Sequence, residues 1–306
     1  MNSELIERLR KCNKLPSIPS GAIKILDFVR SHVGDFYEIT KTIEQDPELT
    51  AKLIKYANTT FYGQGRKHQK IQDAVILFGA RTTLSIALIL SLVSTLQKRQ
   101  GDRMDYERFW KRSLLAAAYA QTIERHICCT NTGEALFTSL LQDIGMLALD
   151  RIEPTLYPPI KDAADYHDAA RAQEQTLLAV DHAAVGGWLL NTWGLPDNIT
   201  NAVERSHYPF ASNIKSPFNT FDKIIVLSGL MADIVLNEDW VNCLNRALSF
   251  GHTWLDLTKR DFVWIHRSHG PQVSEFEALL NTELFNKKKL DTILEMATSL
   301  LNDIGE

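Results

Sequence analysis

Carboxylate and imidazole side chains recur through the second half of the chain, inside segments that are otherwise apolar. Imidazole nitrogens and carboxylate oxygens are the usual protein ligands of divalent metal ions. One buried histidine or aspartate is more often a hydrogen-bonded polar group than a ligand, so the set carries more weight than any one member. The candidates are Asp143 directly after Gln142, the adjacent pair Asp181 and His182, then His207 and Asp233.

A second pair of histidines, His266 and His269, has a spacing that could ligate a metal on a helix. No third ligand stands nearby in the sequence, and Gly270 and Pro271 follow directly, which is typical of a turn. We therefore interpret this pair as part of a surface turn. The sequence has no glycine-rich phosphate loop, no G-x-S-x-G elbow and no H-E-x-x-H helix, which disfavours the enzyme classes built on those motifs.

The elements that must position these side chains are helices. Asp46, Pro47 and Glu48 supply an N-cap, a proline at the first helical position and an early acid. Strand patterns are few, and the β-branched run 224–227 lies inside a longer helical pattern. Helical periodicity extends over 104–127, 134–150, 181–194, 218–237 and 287–303. The pattern predicts an all-α protein.

The charge balance argues against nucleic acid and membrane surfaces as partners. The net charge is −4 and the isoelectric point is about 6.2, without a basic stripe. The apolar segment 82–96 is shorter than the roughly 20 residues that span a bilayer, so we predict a buried helix there. The N-terminal segment lacks the apolar core of a signal peptide. The four cysteines, Cys12, Cys128, Cys129 and Cys243, include no C-x-x-C pair, and we interpret them as reduced thiols of a cytoplasmic protein.

Three regions are expected along the chain. The charged, glycine-containing stretch 98–103 follows the apolar helix and indicates a join between two helical halves. We therefore expect an N-terminal helical bundle over 1–100, a second helical half over 101–245, and a C-terminal helical tail over 246–306.

Several motifs, taken in order, resemble one family. In the first half they are Leu15-Pro-Ser-Ile-Pro19, Glu44-Gln-Asp-Pro-Glu-Leu-Thr-Ala51, Tyr56-Ala-Asn-Thr-Thr-Phe-Tyr-Gly63 and Asp73-Ala-Val-Ile-Leu-Phe-Gly79; in the second they are Phe109-Trp-Lys-Arg-Ser113, Leu141-Gln-Asp-Ile-Gly145, Asp181-His182 with Gly186, Trp193-Gly-Leu-Pro196 and His207. Over roughly residues 10–240 the chain resembles the HDOD domains, the HD-related output domains of bacterial signalling. These belong to the HD superfamily of metal-dependent phosphohydrolases. The resemblance implies an HD-type helical fold with the N-terminal bundle packed on a degenerate HD-type half.

The resemblance also implies a metal set that this chain has partly lost. In HD enzymes a histidine, a His-Asp pair and a later aspartate hold a divalent metal. Here Arg112 and Gln142 stand at the two histidine positions, while Asp143 and Asp233 remain. Arginine stays protonated and cannot ligate a cation, and a glutamine carbonyl is a poor substitute for imidazole on transition metals. We hypothesise that Arg112 pairs with Asp143, Asp233 or both. The other interpretation is that Arg112 points to solvent.

A second metal position survives in part. By resemblance to the binuclear HD-GYP phosphodiesterases, Asp143, His182 and His207 could hold one divalent ion, although Ser206 stands where many relatives have another histidine. Arg112 beside the site would disfavour a cation. Met146 occupies a position that is often lysine in active enzymes, which leaves no evident proton donor.

Two functions therefore remain open. The first is a non-catalytic regulatory module that acts through a signalling protein partner, or through a nucleotide or other phosphate-bearing ligand in a cavity lined by Arg112, Asp143, His182 and His207. It needs no resident cofactor. The alternative is a metal-dependent phosphohydrolase or cyclic-dinucleotide phosphodiesterase with an altered metal site. The loss of two imidazoles favours the first.

Overall fold

Side-chain caps fix the starts of several helices. In the computed structural model the carboxylate of Asp46 accepts a hydrogen bond from the backbone N–H of Leu49 at 3.0 Å. The side chain of Asn219 likewise accepts one from the backbone N–H of Asp222 at 2.8 Å. Each cap satisfies an amide that the first helical turn leaves without an internal partner. The Asp-Pro-Glu helix start predicted at 46–48 is therefore present.

The structure describes residues 1, 3–12, 15–16, 36–58, 67–80, 82–84, 86–87, 90, 103–128, 133–207, 218–270, 273–274, 277, 292, 295 and 299. The predicted helix 287–303 lies almost wholly outside these residues, as does the join expected near 100.

Helices make up the described secondary structure, and no strand occurs among these residues, which confirms the all-α prediction. The helices are α1 (Ser3–Lys11), α2 (Phe36–Glu44), α3 (Pro47–Ala57), α4 (Ile71–Phe78), α5 (Tyr106–Cys128), α6 (Glu134–Leu140), α7 (Ile144–Ile152), α8 (Tyr166–Leu178), α9 (His182–Thr192), α10 (Asp197–Glu204), α11 (Thr220–Leu236), α12 (Trp240–Leu255) and α13 (Lys259–Ser268). A short 3₁₀ turn covers Pro158–Ile160.

Helix α5 lies at the centre of the second half. It packs against α6, α11 and α13, and it is buried continuously from Arg112 to Glu124. A helix that is apolar on nearly every side belongs in a core, and α11 has the same character. Helix α9 packs between α7 and α10. The polar side chains that these central helices carry inward are therefore shielded from water.

The N-terminal part of the chain contacts this second half through α1. The guanidinium of Arg8 donates to the carbonyl of Ile152 at 2.9 Å and to the carboxylate of Glu153 at 3.0 Å.

The boundary expected between 245 and 246 falls inside α12, where Cys243, Leu244 and Ala247 are all buried. No helix among the described residues has both the length and the apolarity needed to cross a bilayer.

The predicted helix 134–150 is interrupted. A turn at 141–143 divides it into α6 and α7, and Asp143 lies at the cap position of α7. The reason is tertiary, because Gly145 brings the start of α7 against the backbone of His182 and Gly186 in α9. The break directs the side chains of Gln142 and Asp143 into the protein interior.

The surface-turn interpretation of His266 and His269 is wrong, because both imidazoles are buried. They stack on Tyr119 of α5, with ring centroids 5.6 and 4.1 Å from its ring, and the Tyr119 hydroxyl lies 2.5 Å from Nδ1 of His266. Burial lowers the pKa of His266 well below its usual range and that of His269 to about 4. Their spacing thus serves the α13–α5 contact.

Because the pKa values of these two buried histidines are lowered, we expect the protein to lose stability in acid. A histidine held neutral in the folded state takes up its proton mainly on unfolding, so stability falls as the pH drops from about 6.5, the unfolded pKa, towards about 4. Each such histidine contributes up to about 1.4 kcal/mol per pH unit in that window. We expect urea unfolding between pH 7 and 5 to show a weaker pH dependence for His269→Phe than for the unchanged chain. The exposed His252→Phe is the control; equal slopes for all three proteins would contradict the prediction.

Candidate metal centre

One carboxylate and three imidazoles converge between helices α7 and α10. Asp143 precedes α7, His167 lies in the first turn of α8, His182 opens α9, and His207 follows α10. One ligand atom from each of these four residues lies within 4.8 Å of those of the others, and all four residues are buried. Four segments that are distant in sequence therefore meet at one polar point in an apolar interior.

The distances within this cluster are short. Nε2 of His167 lies 3.1 Å from Nε2 of His182, and Oδ1 of Asp143 lies 3.5 Å from each of these nitrogens. The ring of His207 is centred 4.5 Å from that of His182 and 5.2 Å from that of His167. The arrangement brings nitrogen and oxygen lone pairs to a common centre.

Two further carboxylates orient the imidazoles. Glu174 lies 2.8 Å from Nδ1 of His182 and accepts a second hydrogen bond from the backbone N–H of the same residue at 2.7 Å. Asp181 lies 3.1 Å from Nδ1 of His207. When each Nδ1 carries the hydrogen and donates it to its carboxylate, the neutral ring presents the Nε2 lone pair to the cluster. Metal-binding histidines are commonly held in this way.

The local sequence explains both supports. Glu174 follows His167 by seven residues, so the two share one face of α8. Asp181 caps α9, with Oδ1 accepting from the backbone N–H of Ala184 at 3.1 Å while Oδ2 faces His207. A cap that fixes the helix start therefore also holds a candidate ligand in place.

Arg112 lies on the other side of Asp143 and is buried, which excludes the interpretation that it points to solvent. Its Nη1 donates to Oδ2 of Asp143 at 2.5 Å, and its Nε and Nη2 donate to the two oxygens of Asp233 at 2.8 and 3.2 Å. The hypothesised pairing with both aspartates is thus present. Gly229 in α11 leaves the space that Arg112 and the side chain of Gln142 occupy.

The charges of these groups are strongly coupled. Burial opposes the charged forms of Arg112 and Asp143, but their attraction outweighs it, raising the pKa of Arg112 and holding that of Asp143 well below its usual range. Burial also opposes the charge on His182, yet Glu174 and Asp143 raise its pKa to about 10. For His207, burial and the neighbouring His182 lower the pKa to about 3 despite Asp181.

The predicted site residues fall into two connected groups. Asp143, His182 and His207 meet in the cluster with Asp181 supporting it, whereas Arg112 and Asp233 form the salt bridge. Gln142 directs its amide to the hydroxyl of Ser139 at 3.3 Å. His167 and Glu174 were missed, although the His-Asp dipeptide at 167–168 and the seven-residue spacing to Glu174 were available as signals.

The residues present fit a bound transition metal. Oδ1 of Asp143 and Nε2 of His207 are buried and have no hydrogen-bond partner among the described residues. Unsatisfied buried polar atoms are rare and call for an explanation such as an ion. Three imidazoles and one carboxylate suit zinc, iron, cobalt or nickel better than magnesium or calcium, which prefer oxygen ligands alone.

A small polar pocket adjoins the cluster and the salt bridge. Its volume is about 20 Å³, which has room for one or two water molecules. The hydroxyl of Ser206, one of its lining groups, has no hydrogen-bond partner among the described residues. The pocket is lined by Arg112, His167, Asp168, Arg171, Ser206, His207, Val226, Leu230, Asp233 and Arg246. Its walls therefore carry three guanidinium groups above a candidate metal position.

Comparison with known proteins gives a family match over most of the chain. The model of the HDOD domain family matches residues 15–209. An uncharacterized protein from Treponema pallidum (strain Nichols) is 21% identical over 210 residues, which make up 64% of this chain and 38% of that protein. The chain thus spans well under half the length of this curated relative.

Solved structures share the fold at low identity. An HDOD domain protein of unknown function from Geobacter sulfurreducens matches with a TM-score of 0.65 at 19% identity, over 99% of this chain and 97% of that one. A candidate phosphohydrolase from Shewanella amazonensis matches at 0.60 and 18%, over 96% and 93%. A candidate signal transduction protein from Marinobacter aquaeolei matches at 0.58 and 18%, over 98% and 65%. These likenesses establish the architecture.

Proposed function

The chain belongs to the HDOD domain family, and from that membership we propose that it is a regulatory module of bacterial cytoplasmic signalling that acts by binding and does not catalyse hydrolysis. The same fold occurs in a candidate signal transduction protein and in a candidate phosphohydrolase, so the fold alone does not choose between regulation and catalysis. The choice rests on the side chains of this chain.

The salt bridge of Arg112 is the observation that supports a non-catalytic role. Its guanidinium lies between Asp143 and Asp233, which are the carboxylates that remain of the HD metal set. A permanent cation bound to those oxygens competes with a metal ion for the same ligands. Hydrolysis by paired ions needs both the attacking and the leaving oxygen to be stabilised, which one remaining position does not provide.

The pocket beside the cluster supports a small anionic ligand as one means of regulation. Arg171 and Arg246 line it together with Ser206. Each guanidinium lies near an aspartate, with Arg171 3.9 Å from Asp181 and Arg246 2.5 Å from Asp168. Guanidinium groups bind phosphate oxygens in pairs, so these walls suit a phosphate group, carried by a nucleotide or by another phosphate-bearing ligand. Calorimetric titration with nucleotides and cyclic dinucleotides tests this means, since heat released or absorbed on adding the nucleotide reports ligand binding, which regulation through a signalling protein partner alone does not require.

We expect no phosphodiester hydrolysis by the purified chain. Bis(p-nitrophenyl) phosphate and a cyclic dinucleotide are incubated with the protein and excess Mn²⁺ or Fe²⁺, and release of nitrophenol or of the linear dinucleotide is measured. The rate should equal that of the metal ion alone, because Arg112 and Gln142 replace two metal-binding imidazoles.

Asp143→Asn is the matched control for this assay, since it alters the one carboxylate shared by the salt bridge and the histidine cluster. A rate above the blank that disappears in this variant would overturn the proposal. It would favour the alternative, a phosphohydrolase or cyclic-dinucleotide phosphodiesterase working with Asp143, His182 and His207.

A further inference from the structure

Asp143, His167 and His182 are spaced as three ligands of one tetrahedral ion would be, and His207 lies beside them. With bonds of about 2.0–2.1 Å, a tetrahedral zinc ion separates neighbouring ligand atoms by about 3.3–3.4 Å. Three of the separations observed here are 3.1, 3.5 and 3.5 Å, between Asp143 Oδ1, His167 Nε2 and His182 Nε2. His207 completes the set within 4.8 Å.

We infer that these four residues form a closed site for a single transition-metal ion, in which His167 is the fourth ligand. Catalytic zinc sites keep three protein ligands and an open position for water, whereas structural sites use four. Here all four ligands are buried, and His182 is fully enclosed. A closed set of four leaves no position at which the ion could activate water.

The surrounding charge favours a cation despite Arg112. The carboxylates of Asp143, Asp181, Asp233 and Glu174 are all buried around this point. Arg112 directs its guanidinium to Asp233 and to the Oδ2 oxygen of Asp143, so the Oδ1 oxygen still faces the imidazoles. Buried carboxylates in excess of buried cations are destabilising unless a positive charge joins them. A divalent ion supplies that charge and satisfies Oδ1.

An ion in this position links four separate segments of the chain. Asp143 belongs to the start of α7, His167 to α8, His182 to α9 and His207 to the turn after α10. His167 is the ligand that attaches α8, and α8 also supplies Glu174 to orient His182. Metal occupancy therefore fixes α8 against α9, and the ion acts as a structural or regulatory ligand of the module.

The inference rests on the proposed function in one respect, namely that a closed shell requires a site that does not turn over substrate. Different results would nevertheless contradict the proposed function and the closed metal site. Hydrolysis in the assay above would overturn the proposed function, whereas an open coordination shell without hydrolysis would overturn only the closed site.

Metal binding by this 306-residue chain tests the inference. The protein is stripped with a chelator and titrated with Zn²⁺ in competition with a chromophoric chelator, and bound zinc is counted by elemental analysis. Co²⁺ is added to a second sample, because four-coordinate Co²⁺ absorbs visible light much more strongly than six-coordinate Co²⁺. We expect one ion per chain, a four-coordinate cobalt spectrum and a higher unfolding temperature with metal than without.

His167→Phe keeps an aromatic ring and removes both nitrogens, and His252→Phe makes the same change at an exposed position. Loss of a direct ligand should weaken zinc binding by about 100-fold or more, since loss of a residue that only supports a ligand already costs about 10–100-fold. His252→Phe should bind as the unchanged chain does. Where His167→Phe does not fold, His167→Asn, whose side chain is too short to reach the ion, takes its place.

Several outcomes overturn the inference. Two ions per chain, no bound ion, or a cobalt spectrum of five or six ligands would each exclude a closed single site. Unchanged zinc affinity in a folded His167 variant would exclude His167 as the fourth ligand.

Discussion

Replacing Arg112 with alanine lowers the free energy of unfolding by about 3–5 kcal/mol, the usual effect of removing one partner from a buried ion pair. The substitution leaves Asp233 and the Oδ2 oxygen of Asp143 without their guanidinium in an interior that excludes water. Urea denaturation followed by circular dichroism measures the change.

Lys111→Ala is the matched control, because it removes a neighbouring cation from the same helix. Lys111 pairs with the exposed Glu107 at 2.6 Å, and such surface pairs contribute about 0–1 kcal/mol. The double variant Arg112→Ala with Asp233→Ala should lose less stability than the two single changes added together, since the two residues interact directly. Equal effects of Arg112→Ala and Lys111→Ala would show that the two aspartates do not depend on the guanidinium.

Gly145→Ala is the second substitution with a large expected effect. An added Cβ would overlap the backbone carbonyl of His182 and lie 2.7 Å from the backbone nitrogen of Gly186. Backbone atoms of a packed helix cannot turn aside as a side chain can, so α7 and α9 must separate. We expect a loss of about 3 kcal/mol or more, at or above the upper end of ordinary overpacking.

The separation of α7 from α9 also moves Asp143 away from His182. Zinc affinity should therefore fall together with stability in Gly145→Ala, which thermal unfolding with and without Zn²⁺ measures. Gly270→Ala is the control, because a Cβ at that position meets no atom of the described part of the chain within 4 Å. A Gly145→Ala protein as stable as Gly270→Ala would mean that the close approach of α7 and α9 is not required.

Local signals in the sequence were enough to predict several of the helices. Apolar periodicity predicted helices over 181–194 and 218–237, and the structure has His182–Thr192 and Thr220–Leu236. The break at 141–143 could not be predicted in this way, because it depends on the contact between Gly145 and the backbone of His182. That contact lies between two helices, so the apolar periodicity of either helix alone does not predict it.

The site residues that lie in motifs resembling those of the family were predicted from the sequence. The site residues outside those motifs were missed. Asp143, His182 and His207 lie in such motifs, and the structure brings them together. His167 and Glu174 lie outside them, and only folding shows that α8 turns both towards His182. The error at His266 and His269 has a similar origin, since their burial depends on Tyr119, a residue far away in the sequence.

The two oxygens of Asp143 face different groups. Oδ2 accepts from Arg112, and Oδ1 faces the imidazoles. Arg112 and a metal ion among the histidines would therefore share the negative charge of this one carboxylate. An anion that draws Arg112 towards the pocket would strengthen the attraction between Asp143 and that metal ion. Thermodynamic linkage makes the effect mutual, because the ion must then strengthen binding of the anion by the same factor. A single carboxylate would thus couple the binding of an anion in the pocket to the binding of an ion in the histidine cluster.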